Sequence, residues 1–226
     1  MRPIPISKFA DVEFCGLKPV YHFLEERRPR FRPCVAIGAR QHALSAEEDA
    51  EKEYETVSVG ELLRRLKDEA SALEFPSEAV GVKFAFGGME FCGRLDKLLK
   101  FGRSVVVCDE KFTSRAGGVF SAKYECQLSA YCNGLASGVM KVRGRPLGEG
   151  VFRGFDIYYR IIERDLVGRH LLGEGKPKPF DAGFVAARLE KFAGIMEGKF
   201  ERRDLACGEP AKCACCEYSE GCEYSC

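Results

Sequence analysis

The side chains best suited to chemistry lie where a valine-rich run ends. In residues 104–112, Asp109 and Lys111 follow Val105 and Val107 on the same face of a predicted strand, because side chains alternate between the two faces. A carboxylate and an ammonium at the end of a buried face are costly without a metal ion or another partner. A solvated hairpin edge could show the same Asp-x-Lys pair, so its interpretation depends on the residues around it.

A second carboxylate precedes the turn that leads into this run. Asp96 ends an apolar stretch at 89–95, and the turn signal Phe101-Gly102 predicts a hairpin that brings Asp96 next to Asp109. Two converging carboxylates form a hard oxygen site suited to Mg²⁺ or Mn²⁺.

The strands and helices that would position these side chains can also be predicted from the sequence. Alternation and turn signals predict strands at 79–86, 90–99, 104–112, 151–163 and 166–172, the last two as a closing hairpin. Helices are predicted at 39–54, 58–70 and 121–135, with a last one that begins at Asp181 as N-cap and runs toward Gly198. Gln127 and Tyr131 are four residues apart and share one helix face. This order predicts an α/β fold with a mixed central β-sheet flanked by helices.

Cysteine is the other prominent residue type, with twelve in 226 residues. Residues 1–14 lack the apolar core of a signal peptide, so metal ligation is favoured over disulfides. Six cysteines fall in a polar C-terminal tail at 205–226: Cys207, Cys213, Cys215, Cys216, Cys222 and Cys226. Zinc and a [4Fe-4S] cluster both need four thiolates, and the spacing does not choose between them. Five other cysteines lie in or beside apolar stretches and are predicted to be small core residues: Cys34, Cys92, Cys108, Cys126 and Cys132.

The length of 226 residues predicts a single domain over 1–226. No apolar run is long enough to cross a membrane, and a cytoplasmic location is expected. The net charge of +1 neither favours nor excludes a nucleic-acid binder. Basic runs at 27–32 and 141–145 fit either a solvated surface or a groove that follows a phosphate backbone.

In chain order, Gly93-x-x-Asp96, Asp109-x-Lys111 and Gln127-x-x-x-Tyr131 resemble the RecB-like branch of the PD-(D/E)XK nuclease superfamily. Three further motifs resemble the CRISPR-associated Cas-four nuclease family within that branch: Phe14-Cys15-Gly16-Leu17, Gly38-x-x-x-His42 and Cys213-x-x-Cys216 with Cys222. The sequence departs from the pattern in two places, because Leu95 replaces the proline before Asp96 and the Pro-Arg that usually follows the first cysteine is missing.

The resemblance implies a restriction-endonuclease-like core and assigns roles to individual residues. Mg²⁺ or Mn²⁺ would be held by His42, Asp96, Asp109 and the backbone carbonyl of Glu110. Lys111 would orient the attacking water or stabilise the transition state, and Gln127 and Tyr131 would hold the DNA phosphate or the surroundings of Lys111. Cys15, Cys213, Cys216 and Cys222 would hold a [4Fe-4S] cluster that joins the N-terminal helices to the tail, although Cys207, Cys215 or Cys226 could replace one of them.

The implied function is a metal-dependent DNA exonuclease that acts on single-stranded ends and trims prespacers in CRISPR adaptation together with the integrase complex. Two alternatives stay open. One is a RecB-like exonuclease of repair or of a mobile element. The other is a non-catalytic zinc or iron–sulfur DNA-binding module, against which the intact set of Asp96, Asp109 and Lys111 argues. The sequence does not indicate an oligomeric state.

Overall fold

The computed structural model describes residues 2–30, 37, 40–41, 43–44, 58–75, 79–114 and 121–225. The predicted metal ligand His42, the predicted core residue Cys34, the tail residue Cys226 and most of the predicted helix at 39–54 lie outside these residues. Within that helix, residues 40, 41, 43 and 44 are helical.

The described helices begin with a short N-terminal group and end in the tail: α1 (Ile6–Phe9), α2 (Asp11–Phe14), α3 (Leu17–Pro19), α4 (Val59–Lys67), α5 (Ser121–Ser137), α6 (Ala182–Met196), α7 (Arg202–Leu205) and α8 (Pro210–Cys215). A π-helical turn at Val20–Leu24 continues α3, and a 3₁₀ turn at Ser219–Gly221 follows α8. The predicted N-cap of α6 is confirmed, because the Asp181 carboxylate accepts hydrogen bonds from the N–H groups of Gly183 (2.8 Å) and Phe184 (3.2 Å).

The strands of the described chain form two sheets. The strands are β1 (Ile4–Pro5), β2 (Ala72–Phe75), β3 (Val80–Phe86), β4 (Met89–Arg94), β5 (Lys97–Phe101), β6 (Ser104–Thr113), β7 (Val139–Val142), β8 (Arg145–Glu149), β9 (Asp156–Asp165), β10 (Leu171–Glu174) and β11 (Lys178–Pro179). One sheet has the order β1-β4-β3-β7-β8, and the other has β10-β9-β6-β5-β2 with β11 also on β9. The β1–β4 and β6–β9 pairs are parallel, so both sheets are mixed. The predicted mixed α/β class is confirmed, but its single central sheet is replaced by two.

The prediction of one continuous strand at 90–99 is wrong. The chain leaves the first sheet after Arg94 and enters the second at Lys97. Leu95 lies at the switch, is buried, and donates its N–H to the Val80 carbonyl at 2.9 Å. Apolar character continues through the switch, so the sequence pattern shows no break there.

Two other strand predictions need smaller corrections. The strand predicted from residue 151 begins only at Asp156, because residues 151–154 form a turn whose Phe152 is nevertheless fully buried. The strand predicted at 166–172 is confined to β10, which pairs antiparallel with β9 as a closing hairpin.

The core lies between the sheets and helices α1, α5 and α6. Phe9, Phe91 and Phe192, from α1, β4 and α6, meet with ring centroids 5.5 to 5.9 Å apart. Cys108, Cys126 and Cys132 are fully buried, as predicted, whereas Cys92 is half-buried. In the described part of the chain, no helix is long and apolar enough to cross a membrane.

Candidate active site

The two predicted carboxylates lie at the point where the sheets separate. The β5–β6 ladder ends at the pair Lys97↔Cys108, so the next opposed positions are Asp96 and Asp109. The Asp96 carboxylate accepts the backbone N–H of Glu110 at 2.9 Å. This contact holds Asp96 against β6 beyond the last ladder pair.

Helix α5 provides the second wall of the site. Gln127 Nε2 lies 3.5 Å from Asp109 Oδ1 and 3.5 Å from Tyr131 Oη, so its amide bridges the strand carboxylate and the helix phenol. Asp109 is 2% exposed, and Gln127 and Tyr131 are also buried. Both helix residues therefore support Asp109 from the protein interior.

The packing of Tyr131 explains why the Gly-x-x-Asp motif begins with a glycine, Gly93. A Cβ atom on Gly93 would lie 2.6 Å from Tyr131 Cε1, which is closer than carbon atoms approach. Glycine at this position therefore lets the Tyr131 ring pack closely against β4 next to the site.

Lys111 lies beside the Asp109 carboxylate. Its ammonium lies 2.6 Å from Asp109 Oδ2 and 4.5 Å from the centre of the Tyr124 ring. Burial opposes its charge, but Asp109 and then Asp96 outweigh burial and raise the pKa of Lys111 above its ordinary value. Lys111 is therefore a fixed positive charge rather than a base.

The surroundings favour the charged form of Lys111 but disfavour the charged form of Asp96. Burial, and then the neighbouring Asp109 carboxylate, raise the pKa of Asp96 well above its ordinary value, although Lys111 and the Glu110 N–H oppose this shift. A bound cation would stabilise two neighbouring carboxylates in a partly buried site.

The donor set fits a hard divalent cation. Asp109 Oδ2 is buried and makes no aligned hydrogen bond within the described residues, although it forms the ion pair with Lys111. In a strand, the N–H and C=O of one residue point to the same edge, so the Glu110 carbonyl faces the side on which Asp96 lies. Two carboxylates and a carbonyl are oxygen ligands of the kind that Mg²⁺ and Mn²⁺ take. His42 lies outside the described residues, so its predicted place among these ligands stays a prediction.

The cysteines converge on a second place, between the N-terminal helices and the tail. One small cavity is lined by Cys15, Cys207, Cys213, Cys216 and Cys222. Cys207 Sγ and Cys213 Sγ are 3.9 Å apart, and the Tyr21 hydroxyl lies 3.2 Å from Cys222 Sγ. Cys215 is exposed and does not line the cavity. Soft thiols suit zinc or iron–sulfur, but in the described part of the chain no three His, Cys, Asp or Glu side chains are arranged to hold a metal ion.

The two predicted basic runs have different surroundings. Arg27 donates to the Gly221 carbonyl at 2.6 Å, and Arg30 pairs with Glu220, so this run contacts the tail. Lys141, Arg143 and Arg145 are exposed around the β7–β8 turn.

Sequence reasoning missed two neighbours of the site. Tyr124 places its ring against Lys111, and Arg164 on β9 donates to the Glu110 carboxylate at 2.8 Å. Tyr124 lies one helical turn before Gln127, so the helix face that carries Gln127 and Tyr131 could have indicated it. The Arg164–Glu110 contact lies on the strand face opposite Asp109 and Lys111, and it depends on the parallel β6–β9 pairing, for which the sequence carries no local signal.

Comparison with solved structures supports the fold. The crystal structure of SSO0001 has a TM-score of 0.51 at 13% identity, over 100% of this chain and 88% of that chain. A structure from Eubacterium rectale, described as that of a proposed exonuclease, has a TM-score of 0.45 at 9% identity, over 88% of this chain and 83% of that chain. The first likeness concerns the fold alone. No curated protein matches the sequence significantly.

A family model described as the PD-(D/E)XK nuclease superfamily matches residues 22–223. The matched region contains the opposed carboxylates, Lys111 and the helix that carries Gln127 and Tyr131. Because the match spans most of the sequence, the chain belongs to the PD-(D/E)XK nuclease superfamily.

Proposed function

We propose that the protein is a metal-dependent DNA exonuclease that hydrolyses phosphodiester bonds at single-stranded ends. The observation that carries the proposal is the opposition of Asp96 and Asp109 at the end of the β5–β6 ladder, with Lys111 in contact with Asp109. The two carboxylates place negative charge where a cation could bind, and the Lys111 ammonium places a positive charge beside them.

The chain's own residues have separable tasks in this mechanism. Asp96, Asp109 and the Glu110 carbonyl would hold the divalent cation, with His42 as a further proposed ligand. The chemistry that such a cation supplies is acidification of water and neutralisation of charge on the scissile phosphate. Lys111 stays protonated next to the two carboxylates, so its task is to stabilise the charge that develops on the phosphate oxygens or to orient the water.

Gln127 and Tyr131 are proposed to act mainly through Asp109. Both are buried, and the Gln127 amide lies between the Asp109 carboxylate and the Tyr131 hydroxyl. Fixing one carboxylate oxygen leaves the other directed toward Lys111 and the cation. Rigid support of this kind is what catalytic geometry requires, since small misplacements are costly in rate.

The substrate and the biological role are supported by fewer observations. Membership of the nuclease superfamily supports a nucleic-acid substrate. The preference for single-stranded ends, the role in trimming prespacers and the integrase partner rest on the motif resemblance around Cys15, Gly38-x-x-x-His42 and the tail cysteines. The expected cytoplasmic location likewise stays a proposal.

A [4Fe-4S] cluster on Cys15, Cys213, Cys216 and Cys222 is part of the proposal. Its support is that these four cysteines line one cavity between segments distant in sequence. Cys207 lines the same cavity, so it is the alternative fourth ligand, and zinc is the alternative metal. The side chains would have to move to bind the cluster, because the described thiols are not arranged as a metal site.

The decisive experiment compares the wild type with Asp109→Ala on end-labelled single-stranded DNA in the presence of Mn²⁺. Wild type is expected to shorten the DNA progressively, whereas the variant should lose at least about 100-fold in rate because it lacks a ligand and the partner of Lys111. A matched control is Asp181→Ala, which removes a carboxylate that caps α6 outside the site. Equal cleavage by wild type and Asp109→Ala would overturn the proposed site.

The same assay separates the remaining alternatives. Binding of single-stranded DNA without cleavage, by protein that retains its metal at the cysteines, would favour a non-catalytic DNA-binding module. Cleavage within a circular single strand would exclude a strict requirement for ends.

A further inference from the structure

A group of buried and half-buried charges connects the N-terminal helices, the tail and α5 outside the candidate active site. The Asp11 carboxylate on α2 is 3% exposed and contacts the ammonium groups of Lys18 (2.9 Å) and Lys123 (2.6 Å). Lys18 is itself 5% exposed and also contacts Glu217 of the tail at 3.0 Å. We refer to Asp11, Lys18, Lys123 and Glu217 as the charge network.

The network is electrostatically satisfied despite its burial. Burial alone would raise the pKa of Asp11, but Lys123 and Lys18 outweigh burial and hold the pKa below its ordinary value. A buried charge that is paired on two sides resists displacement, because separating either pair would leave an uncompensated charge in the interior. Asp11 therefore holds Lys123 in a defined place.

Lys123 belongs to the helix turn that adjoins the candidate active site. The next residue, Tyr124, places its ring 4.5 Å from the Lys111 ammonium. One turn further on, Gln127 bridges Asp109 and Tyr131. The first turn of α5 thus has Asp11 on one side and Lys111 on the other.

We infer that Asp11 is a positioning residue for the nuclease reaction, which acts through Lys123 to fix the first turn of α5 and so places Tyr124 and Gln127 against Lys111 and Asp109. The inference rests on the proposed function for its effect on rate. Its structural part, the dependence of α5 on the Asp11–Lys123 contact, can be measured without activity.

The main test uses Lys123→Met, which removes the ammonium but keeps the aliphatic stem. This variant is expected to fold, because Lys18 still pairs with Asp11 and Glu217. With Mn²⁺ and single-stranded DNA, kcat is expected to fall roughly tenfold at unchanged KM, since misplaced catalytic groups lower the rate rather than substrate binding. Asp11→Asn should behave in the same way, and the double variant should be no slower than the slower single variant.

Helix α2, which carries Asp11, also provides a matched control. Glu13 on α2 pairs with Arg188 on α6 at 3.5 Å, so Glu13→Gln breaks a link from α2 to a helix that does not reach the site. Glu13→Gln should leave kcat unchanged. A raised KM with unchanged kcat in Lys123→Met would show that Lys123 contacts DNA directly and would overturn the inference.

Amide hydrogen exchange measured by mass spectrometry tests the structural part. Peptides that cover 121–131 should exchange faster in Lys123→Met than in the wild type, while those that cover α6 should not change. If residues 121–131 exchange at the same rate in Lys123→Met and in the wild type, the inference is overturned, whatever the DNA assay shows. Absence of cleavage by the wild type would count against the proposed function alone.

Discussion

At the scale of single residues, Asp96 combines a functional position with a cost to stability. Its pKa is raised by burial and by Asp109, so the folded chain binds the Asp96 proton more tightly than the unfolded chain does. Below the ordinary pKa of 3.8, Asp96 is protonated in both states and carries no penalty. As the pH rises toward the folded-state pKa, the penalty grows, and the metal-free protein loses stability.

Asp96→Asn is therefore expected to stabilise the metal-free protein. Asparagine keeps an oxygen that can accept the Glu110 N–H and removes the charge facing Asp109. In the presence of EDTA at alkaline pH, Tm should rise by roughly 2–4 °C, the shift that about 1 kcal/mol produces in a chain of this length. At about pH 4 the two proteins should differ little, because the carboxyl is then largely protonated.

Added Mn²⁺ supplies the control for this prediction. The wild type should gain Tm with increasing Mn²⁺, because ligand that binds only the folded state stabilises it. Asp96→Asn should gain less and should lose cleavage activity. A variant that melts below the wild type at alkaline pH in EDTA would show that the Asp96 charge is already compensated within the folded chain.

At the scale of elements, the site depends on the change of sheet between β4 and β5. Arg94 is the last residue paired with β3, and Lys97 is the first paired with β6. Asp96 can face Asp109 because its strand has just left one sheet and entered the other. Gly93 precedes this switch and is in contact with Tyr131.

Gly93→Ala should show how strongly β4 and α5 are coupled. The new Cβ would lie 2.6 Å from Tyr131 Cε1, so the ring must move and its contact with Gln127 must change. Overpacking of this kind costs about 1–3 kcal/mol, which urea unfolding would measure, and cleavage should slow as well. Gly81→Ala on the neighbouring strand is the control, because its Cβ would lie at an ordinary 3.6 Å from the Gly93 carbonyl. Equal effects of the two substitutions would contradict this account.

The sequence predicted the relative positions of Asp96, Asp109 and Lys111 better than it predicted the bounds of the elements around them. Alternation placed Asp109 and Lys111 on one face, and the Phe101-Gly102 turn placed Asp96 opposite Asp109, because both signals are local. The sheet switch at Leu95 was missed, since burial keeps the pattern apolar across it. Contacts between distant segments, such as Arg164 with Glu110, leave no periodic signal.

At the scale of the whole molecule, the N-terminal helices and the tail hold each other in place. Besides the Lys18–Glu217 pair, the His22 ring lies 3.2 Å from the Tyr218 hydroxyl, and the centroids of the Tyr21 and Tyr218 rings lie 5.6 Å apart. The cysteine cavity lies in this junction. A metal bound there would link two segments that are far apart in sequence, since Cys216 lies 201 positions after Cys15.

Cys216 and Cys215 offer a matched pair for testing the junction. Cys216 is 8% exposed and lines the cavity, whereas the adjacent Cys215 is exposed and does not. The proposed cluster predicts that, after anaerobic purification, both the wild type and Cys215→Ser contain iron and sulfide and show broad visible absorption. Cys216→Ser should lose them and melt at a lower temperature, because the tail then lacks the metal that would help to order it. A wild type with zinc and no iron would disprove the cluster but retain the thiolate site, whereas equal metal content in both variants would exclude Cys216 as a ligand.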